Sequence, residues 1–510
     1  MKEVQSPLTV ALLGLLLGVG SPLDAALPVT EVALANGFQV LVVRRPDLPM
    51  VAAAWAVRAG SAEDPPGATG VAHLLEHALF HGTRTVASGS EFARLYAENG
   101  AVGINAYTEE DFTVFAAMVP RERLELWFWL ESDRLREPVF RDLERELRVV
   151  AEERRQRVAT TPTGPLDERV SAAFWGEDPY GRPVSGLPED LARLGGAAAE
   201  TFFARHYRAG NVVAALVGDV DEASVRELAG RYFGRLVNPG PHPWPVSENP
   251  HPWPLSRSAG EGDAAAEKRL VSGSAGEGDA VSENPHPWPL SRSAGEGDGA
   301  AEKRLVSGSA GEGDAAEKNS FPKPLELECD CAPQARVLWR TVPFGHADAA
   351  ALDVLAGVLN GRSGRLHRAL VLGQGVAFAA WAEHAPLRRA GSFELRAETR
   401  EDSAPEVLAA ALRAEAERLR REPVAAAELA KVKHQIVADS YRKLRDPMGL
   451  ALRLVAYAAV GDWRHVESWA DRASAVSAED VQRVATRYLG GDTSLTALYR
   501  RRGPRPGAKR

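Results

Sequence analysis

Alternating and helical patterns of apolar residues divide the chain into two similar blocks, at residues 28–238 and 320–502. In the first block, residues 39–43 and 51–57 have the composition of strands, with valine and alanine in most positions. Helical patterns follow at 68–81, 89–99, 121–135 and 139–158. This mixture predicts an α+β fold.

The second block repeats the order of the first. A strand pattern near 335–342 precedes helical patterns, which lie at 347–360, 364–372, 403–421 and 426–444. A duplicated fold, of which one copy kept its chemistry, is the simplest explanation of this correspondence. We therefore predict an N-terminal domain at 28–238 and a homologous C-terminal domain at 320–502 that carries no chemistry.

Between the blocks, residues 246–280 recur at 281–315 with a single difference, Ala264 against Gly299. The segment is rich in proline, glycine, serine and charge, so it buries too little apolar surface to offset the entropy of ordering it. Its Pro-His-Pro-Trp-Pro clusters could bind an aromatic groove, but a tolerated insertion is the simpler interpretation. We predict a flexible linker at 239–319.

The N-terminus has the layout of a secretory signal. An apolar run over residues 8–20 is followed by small residues, and this predicts a signal peptide at 1–25 and export to the periplasm or the medium. The run is too short to span a bilayer comfortably, so no stable membrane span is expected. An uncleaved anchor is the alternative, because Glu3 weakens the positive flank.

Composition narrows the possible partners. A chain of 510 residues with 45% hydrophobic and 25% charged residues is a globular protein with more than one core. Its net charge of -8 provides no basic field for nucleic acid, so we expect no nucleic-acid partner. The two cysteines, Cys329 and Cys331, are expected to be unbonded, because so small a ring would be strained.

The strongest chemical signal is the helical pattern that contains His73, Glu76 and His77. At about 100° per residue, Glu76 lies about 60° to one side of His73 and His77 about 40° to the other. Two imidazoles one turn apart can chelate Zn²⁺, and a carboxylate beside them can take a proton from water. A solvated polar face is the alternative, but the flanking Leu74 and Leu75 predict burial. The order matches a known zinc-peptidase motif, H-x-x-E-H.

A catalytic zinc needs a third protein ligand, and the helix at 141–157 supplies candidates. Glu146 and Glu153 lie within about 20° of each other at the margin of its apolar side. Glu152 instead shares a stripe with arginines and with Gln156. We predict Glu153 as the third zinc ligand and Glu146 as a neighbouring carboxylate that orients a ligand or solvent. Without the histidine pair, either glutamate would be interpreted as a surface partner of the arginines.

These motifs together resemble those of the insulinase/pitrilysin zinc peptidases, in the two-domain bacterial and mitochondrial-processing-peptidase-like branch. The similar segments are residues 36–40, 70–83, 103–108 and 146–155, in the order of the family. The resemblance covers nearly everything outside the predicted signal and linker.

The resemblance implies two homologous halves, each an antiparallel-rich sheet packed with helices, that form a clam-shell chamber. It also implies a metalloendopeptidase with one zinc per chain that hydrolyses unfolded peptides or small polypeptides. Substrate would add as a strand to an exposed sheet edge, at Asn105 and Ala106.

The second block departs from the family. Active members commonly have an arginine and a tyrosine seven residues apart that hold the substrate carbonyl, and Val371 and Phe378 occupy these places. Arg365 and Arg368 could replace the arginine, but no tyrosine follows at the right interval. We predict a heterodimer whose homologous partner supplies the pair. The alternative is a non-catalytic subunit that binds polypeptide or serves assembly.

The remaining histidines outside the linker are interpreted as isolated core or surface residues. They are His81, His206, His346, His367, His384, His434 and His465.

Overall fold

A computed structural model describes residues 27–238, 321, 323–399, 404–491 and 493–502. The predicted signal at 1–25 and the predicted linker at 239–319 lie outside the described residues. In the part of the chain that is described, no helix has both the length and the apolar character needed to cross a membrane.

The first half is built on a six-stranded sheet with the strand order β1-β2-β6-β3-β5-β4. Its strands are β1 (Val29–Ala33), β2 (Gln39–Arg44), β3 (Met50–Val57), β4 (Val102–Thr108), β5 (Thr113–Pro120) and β6 (Val212–Gly218). Its helices are α1 (Val71–Ala78), α2 (Gly89–Glu98), α3 (Leu124–Arg136), α4 (Leu143–Arg154), α5 (Gly164–Trp175), α6 (Pro188–Leu191), α7 (Gly196–His206) and α8 (Glu222–Tyr232).

The second half is built on a five-stranded sheet with the order β7-β11-β8-β10-β9. Its strands are β7 (Leu325–Cys329), β8 (Gln334–Thr341), β9 (Ala379–Pro386), β10 (Gly391–Glu398) and β11 (Ser494–Arg501). Its helices are α9 (Ala349–Leu359), α10 (Pro405–Arg421), α11 (Ala426–Arg445), α12 (Pro447–Val460), α13 (His465–Ala475) and α14 (Ala478–Tyr488).

The two sheets share one topology. In each, the last strand, β6 or β11, is inserted between two earlier strands, parallel to one and antiparallel to the other. In each, a hairpin completes the sheet and leaves its first strand, β4 or β9, at the edge. Strand β1 is an addition to the first half. This match confirms the predicted fold class of two α+β halves with antiparallel-rich sheets.

Each sheet is covered on one face by helices of its own half and on the other by a helix of the opposite half. The outer face of the first sheet packs against α12, where Leu450 and Leu454 are fully buried. The outer face of the second sheet packs against α5, through Val170 and Phe174. The halves therefore exchange helices, and neither sheet buries both of its faces without the other half.

The helix limits agree with the sequence predictions except where backbone geometry intervenes. The helix predicted at 68–81 begins only at Val71, because Gly70 has a left-handed φ of 89°. The helix predicted at 139–158 is α-helical to Arg154 and then continues as a π-helical turn, Arg155–Ala159. The pattern at 364–372 forms a second π-helical segment, His367–Gly373.

One prediction about the cysteines was wrong. Cys329 and Cys331 form a disulfide at the end of β7. The chain turns there, so the two Cα atoms lie 5.2 Å apart, inside the range of about 4.4–6.8 Å that a disulfide spans.

Candidate metal centre

Helix α1 is fixed at its N-terminus by two buried carboxylates. Asp64 accepts hydrogen bonds from the backbone N–H groups of Gly70 and Ala72, at 2.6 and 3.0 Å. Asp190 accepts from the N–H and the hydroxyl of Thr69, at 3.2 and 2.7 Å. These bonds satisfy donors that a helix start leaves unpaired.

The apolar residues of α1 turn its polar residues toward α4 and β4. Val71, Leu74 and Leu75 are fully buried in the core of the first half. His73 and Glu76 are each only 8% exposed, so the polar face of the helix is also shielded from solvent. The predicted burial of this motif is thus observed.

The structure brings the three predicted metal ligands together. Nε2 of His77 lies 3.2 Å from Oε2 of Glu153, and Nε2 of His73 lies 3.9 Å from the same oxygen. One ligand atom from each residue lies within 4.8 Å of the other two. Among the described residues, this is the one group of three or more His, Cys, Asp or Glu side chains with metal-compatible spacing.

The donor set fits zinc. Two imidazole nitrogens and one carboxylate oxygen form a three-ligand arrangement found in catalytic zinc sites, which leaves one position for water or substrate. Nδ1 of His73 is buried and has no hydrogen-bond partner. Burying these imidazoles and carboxylates together without a shared cation would be costly.

Burial and neighbouring charges set the protonation of the two histidines in opposite directions. Burial, with help from His77, lowers the pKa of His73 to about 4, which keeps its imidazole neutral. Burial would also lower the pKa of His77, but the carboxylates of Glu146 and Glu153 outweigh it and raise that pKa to about 9. A metal binds the deprotonated imidazole, so an incoming cation would displace the proton of His77.

The two carboxylate oxygens of Glu153 contact different partners. Burial would raise its pKa, but the hydrogen bond with His77 and the positive charges of His77 and Arg157 outweigh burial and lower that pKa to about 2. Oε1 of Glu153 lies 2.7 Å from Nη1 of Arg157, while Oε2 faces the histidines. Glu152 instead accepts from Arg155 and from Gln156, and of these two Gln156 belongs to the stripe predicted for Glu152.

Glu146 also lies beside the pair, and it contacts a histidine that the sequence analysis left aside. Oε2 of Glu146 lies 3.6 Å from Nδ1 of His77, and Oε1 lies 2.9 Å from Nε2 of His81. The prediction that His81 is isolated was therefore wrong. It lies on the turn after α1, four residues beyond His77, so the helical spacing that identified the other residues also carried a signal for His81.

Glu76 has a partner that sequence reasoning did not identify. The hydroxyl of Thr108, at the end of β4, donates to Oε2 of Glu76 at 2.7 Å. Burial raises the pKa of Glu76 to about 7, and the bond from Thr108 opposes that rise. A carboxyl group with a pKa near neutrality is suited to exchanging a proton during catalysis.

The predicted substrate strand lies at a sheet edge. Strand β4 pairs with β5 on one side, and among the described residues no strand pairs with its other side. Asn105 is opposite Ala116 and Ala106 is opposite Phe115, beyond an irregularity in register after Val102. Asn105 is exposed and Ala106 is half-buried, so this edge is open to a peptide backbone.

The second half offers no tyrosine in place of the missing one in the described residues around 365–378. Arg365 and Arg368 both form ion pairs with Glu428, at 2.9 and 2.5 Å. Phe378 is 39% exposed and has no hydroxyl group. Both arginines contact Glu428, whose single negative charge balances only one of their two positive charges, so the idea that one of them replaces the missing arginine stays a prediction.

A histidine pair and a glutamate from two packed helices, with a second glutamate alongside, define a centre of the zinc-peptidase class. A family model described as Insulinase (Peptidase family M16) matches residues 39–187. A second, described as Peptidase M16 inactive domain, matches residues 197–263 and 330–436. The two models together cover more than half of the chain, which therefore belongs to the insulinase family, M16.

Individual proteins agree with this assignment. The zinc protease PqqE of Helicobacter pylori (strain ATCC 700392 / 26695) is 30% identical over 229 residues, which are 44% of this chain and 50% of that protein. The chain matches about half the length of the curated relatives.

Two solved structures share the fold. A protease from Helicobacter pylori has a TM-score of 0.74 at 22% identity and covers 93% of this chain and 100% of its own. The periplasmic protease PqqL from Escherichia coli has a TM-score of 0.65 at 17% identity, with 93% of this chain matched to 48% of that one. The predicted family and fold class are confirmed.

Proposed function

We propose that this chain is a zinc metalloendopeptidase that hydrolyses unfolded peptides or small polypeptides, as the catalytic subunit of a heterodimer. The observation that carries the proposal is the convergence of His73, His77 and Glu153, with Glu76 on the same face of α1. Relatives named zinc proteases support the choice of metal. One ion per chain is proposed because the described residues contain one group with metal-compatible spacing.

In this mechanism, His73, His77 and Glu153 hold the ion, and Glu146 orients the ring of His77. Zinc would supply Lewis acidity, which polarises a carbonyl and eases the deprotonation of water. Glu76 accepts the proton of the attacking water and then returns it to the leaving amine. Thr108 keeps the carboxylate of Glu76 in one orientation during both transfers.

Substrate would bind as an added strand along the open edge of β4, at Asn105 and Ala106. Backbone hydrogen bonds provide most of the affinity in this mode of binding, so extended or unfolded segments are selected more than particular sequences. The open edge and the short path from β4 to Glu76 through Thr108 support this placement.

A homologous partner would supply the arginine and tyrosine that Val371 and Phe378 replace, and would complete the clam-shell chamber. The match to PqqL supports this, because almost all of this chain corresponds to only 48% of that chain. About half of that chain therefore lies outside the match.

The export of the chain to the periplasm or the medium is also part of the proposal. It rests on the predicted signal at 1–25, and the related PqqL is described as periplasmic. The domain limits, 28–238 and 320–502, remain predictions as well.

A non-catalytic subunit that binds or assembles polypeptide is the second candidate. The loss of the arginine and tyrosine favours it, as does the contact of both Arg365 and Arg368 with Glu428. The catalytic and the non-catalytic candidate differ in whether the chain hydrolyses peptide. Substitution of Glu76 tests this difference.

Replacing Glu76 by glutamine should lower kcat by about 100- to 10,000-fold, because it removes the proton acceptor. Zinc content should stay unchanged, because no ligand is altered. The measurement is hydrolysis of an unfolded protein by the purified chain mixed with its nearest co-expressed homologue, together with metal analysis.

The matched control is Glu144→Gln, which changes an exposed glutamate on α4. A Glu76→Gln variant with full activity would refute the catalytic role. If neither the wild type nor the control cleaves in any mixture while zinc is bound, the binding-subunit candidate is correct. Equal cleavage with and without the homologue would contradict the heterodimer.

A further inference from the structure

His81 is the histidine closest in sequence to the candidate centre that the proposed mechanism does not use. It lies on the turn that follows α1, and its backbone N–H donates to the backbone carbonyl of Ala78 at 3.1 Å. Its Nε2 lies 2.9 Å from Oε1 of Glu146, which is the shortest imidazole–carboxylate contact of the centre. The side chain of His81 is 27% exposed, whereas that of Glu146 is 7% exposed.

Glu146 therefore lies between two imidazoles. One carboxylate oxygen is held by His81 at 2.9 Å, and the other faces Nδ1 of His77 at 3.6 Å. A carboxylate that contacts a metal-ligating histidine fixes the orientation of the ring. The terminal torsion of a glutamate is broad, so one contact alone does not fix the direction of its two oxygens. A second contact, from His81, restricts that rotation.

The turn that carries His81 is itself rigidly placed. The guanidinium of Arg141 donates to the carbonyls of His81 and Thr83, at 3.4 and 3.1 Å. Gly82 has a φ of 95°, and a Cβ there would come within 2.5 Å of the carbonyl oxygen of Val86. The close packing and the two bonds hold the His81 backbone in one position relative to Glu146.

We propose that His81 is a positioning residue, which holds Glu146 so that Glu146 in turn orients His77 as a metal ligand. The inference rests on the proposed zinc site and adds a residue to it. His81 touches neither substrate nor metal in this role and acts only through Glu146.

The test is the zinc affinity of the purified full-length chain, measured by competition with a chromogenic chelator. His81→Phe keeps a ring but removes both nitrogens, and we expect it to weaken zinc binding by about tenfold, as is usual for loss of such an outer partner. His81→Gln keeps a donor and should stay within about threefold of the wild type. His434→Phe, at an exposed position of α11, is the matched control and should bind as the wild type does.

Thermal unfolding of the metal-free proteins shows whether each variant is folded. If His81→Phe binds zinc as tightly as the wild type, or if His81→Gln loses as much affinity as His81→Phe, the proposal is overturned. Failure of the proposed function has a different signature, because the wild type would then bind no zinc, or bind it equally well after His77→Phe.

Discussion

At the scale of single residues, Thr108 connects the strand proposed to bind substrate with Glu76, the proposed base. It belongs to β4, where substrate is proposed to bind, and its hydroxyl donates to Glu76 at 2.7 Å. A hydroxyl that also lies 3.4 Å from the hydroxyl of Thr113 has few other orientations available. The strand that is proposed to receive the substrate thereby also orients the proposed base.

Replacing Thr108 by valine keeps the shape and removes the donor. A hydrogen bond to a charged group contributes about 1.5–3 kcal/mol, so kcat should fall by roughly 10- to 100-fold. KM and zinc content should change little, and Thr108→Ser should restore most of the rate. Steady-state kinetics of the three proteins test this, and an equal loss in the serine and valine variants would contradict it.

The residues found from the sequence were those that share one periodic face. His73, Glu76 and His77 follow from the helical period, and the margin of α4 distinguished Glu153 from Glu152. Thr108 was missed because it reaches the centre from a strand end, through tertiary packing that no local spacing encodes. His81 was overlooked for a different reason: it lies four residues beyond His77 within the predicted helix, so its spacing did carry a signal.

At the level of elements, the position of α1 depends on Asp64. Its carboxylate accepts from two N–H groups at the helix start, and burial raises its pKa to about 7. The ordinary value is 3.8, so the folded state holds this proton more tightly than the unfolded state does. The stability that Asp64 contributes is thus fully present below about pH 4 and is lost as the pH rises through about 7.

The free energy of unfolding should differ between the wild type and Asp64→Asn by an amount that depends on pH, because the amide of the variant does not titrate. The rise in pKa from 3.8 to about 7 corresponds to roughly 4 kcal/mol, which the wild type should lose relative to the variant between about pH 4 and 8. Urea unfolding of the metal-free proteins at several pH values measures it. A difference that does not vary with pH would contradict this account of the helix start.

The sequence predicted most elements but not every limit. Apolar periodicity located α1, α2, α3 and α4, because each buries one face in its own half. The π-helical turn Arg155–Ala159 was not predicted, since it keeps a helical pattern of residues while its hydrogen bonds change.

For the whole molecule, the exchange of helices joins the candidate centre to the second half. Helix α4 carries Glu153 and is followed closely by α5, which packs on the second sheet. There Asp167 accepts from Arg336 and from the hydroxyl of Tyr499, at 2.7 and 2.6 Å. The second half thus supports the helix that carries Glu153, a candidate metal ligand.

Truncating Phe174 tests this connection. The side chain is 1% exposed between α5 and the second sheet, so Phe174→Ala should destabilise the protein by about 3–5 kcal/mol. Phe378→Ala removes a similar group at a position that is 39% exposed and should have a much smaller effect. Denaturant unfolding compares the two, and equal losses would contradict the proposed role of the interface.

The sequence indicated two halves of one topology but not their exchange of helices. The pattern of α12 shows that it is largely buried, with an apolar surface on most sides, but it does not show which sheet covers it. That pairing depends on contacts between residues about 400 positions apart in the sequence, such as the hydrogen bond from the guanidinium of Arg58 to the carbonyl of Ala458.

The most direct test of the central claim is a crystal structure of the full chain grown with zinc, with anomalous scattering recorded on both sides of the zinc edge. The account predicts one strong peak bounded by Nε2 of His73, Nε2 of His77 and an oxygen of Glu153, with Glu76 alongside and outside bonding distance. No peak at this position, or a peak held by other residues, would contradict it.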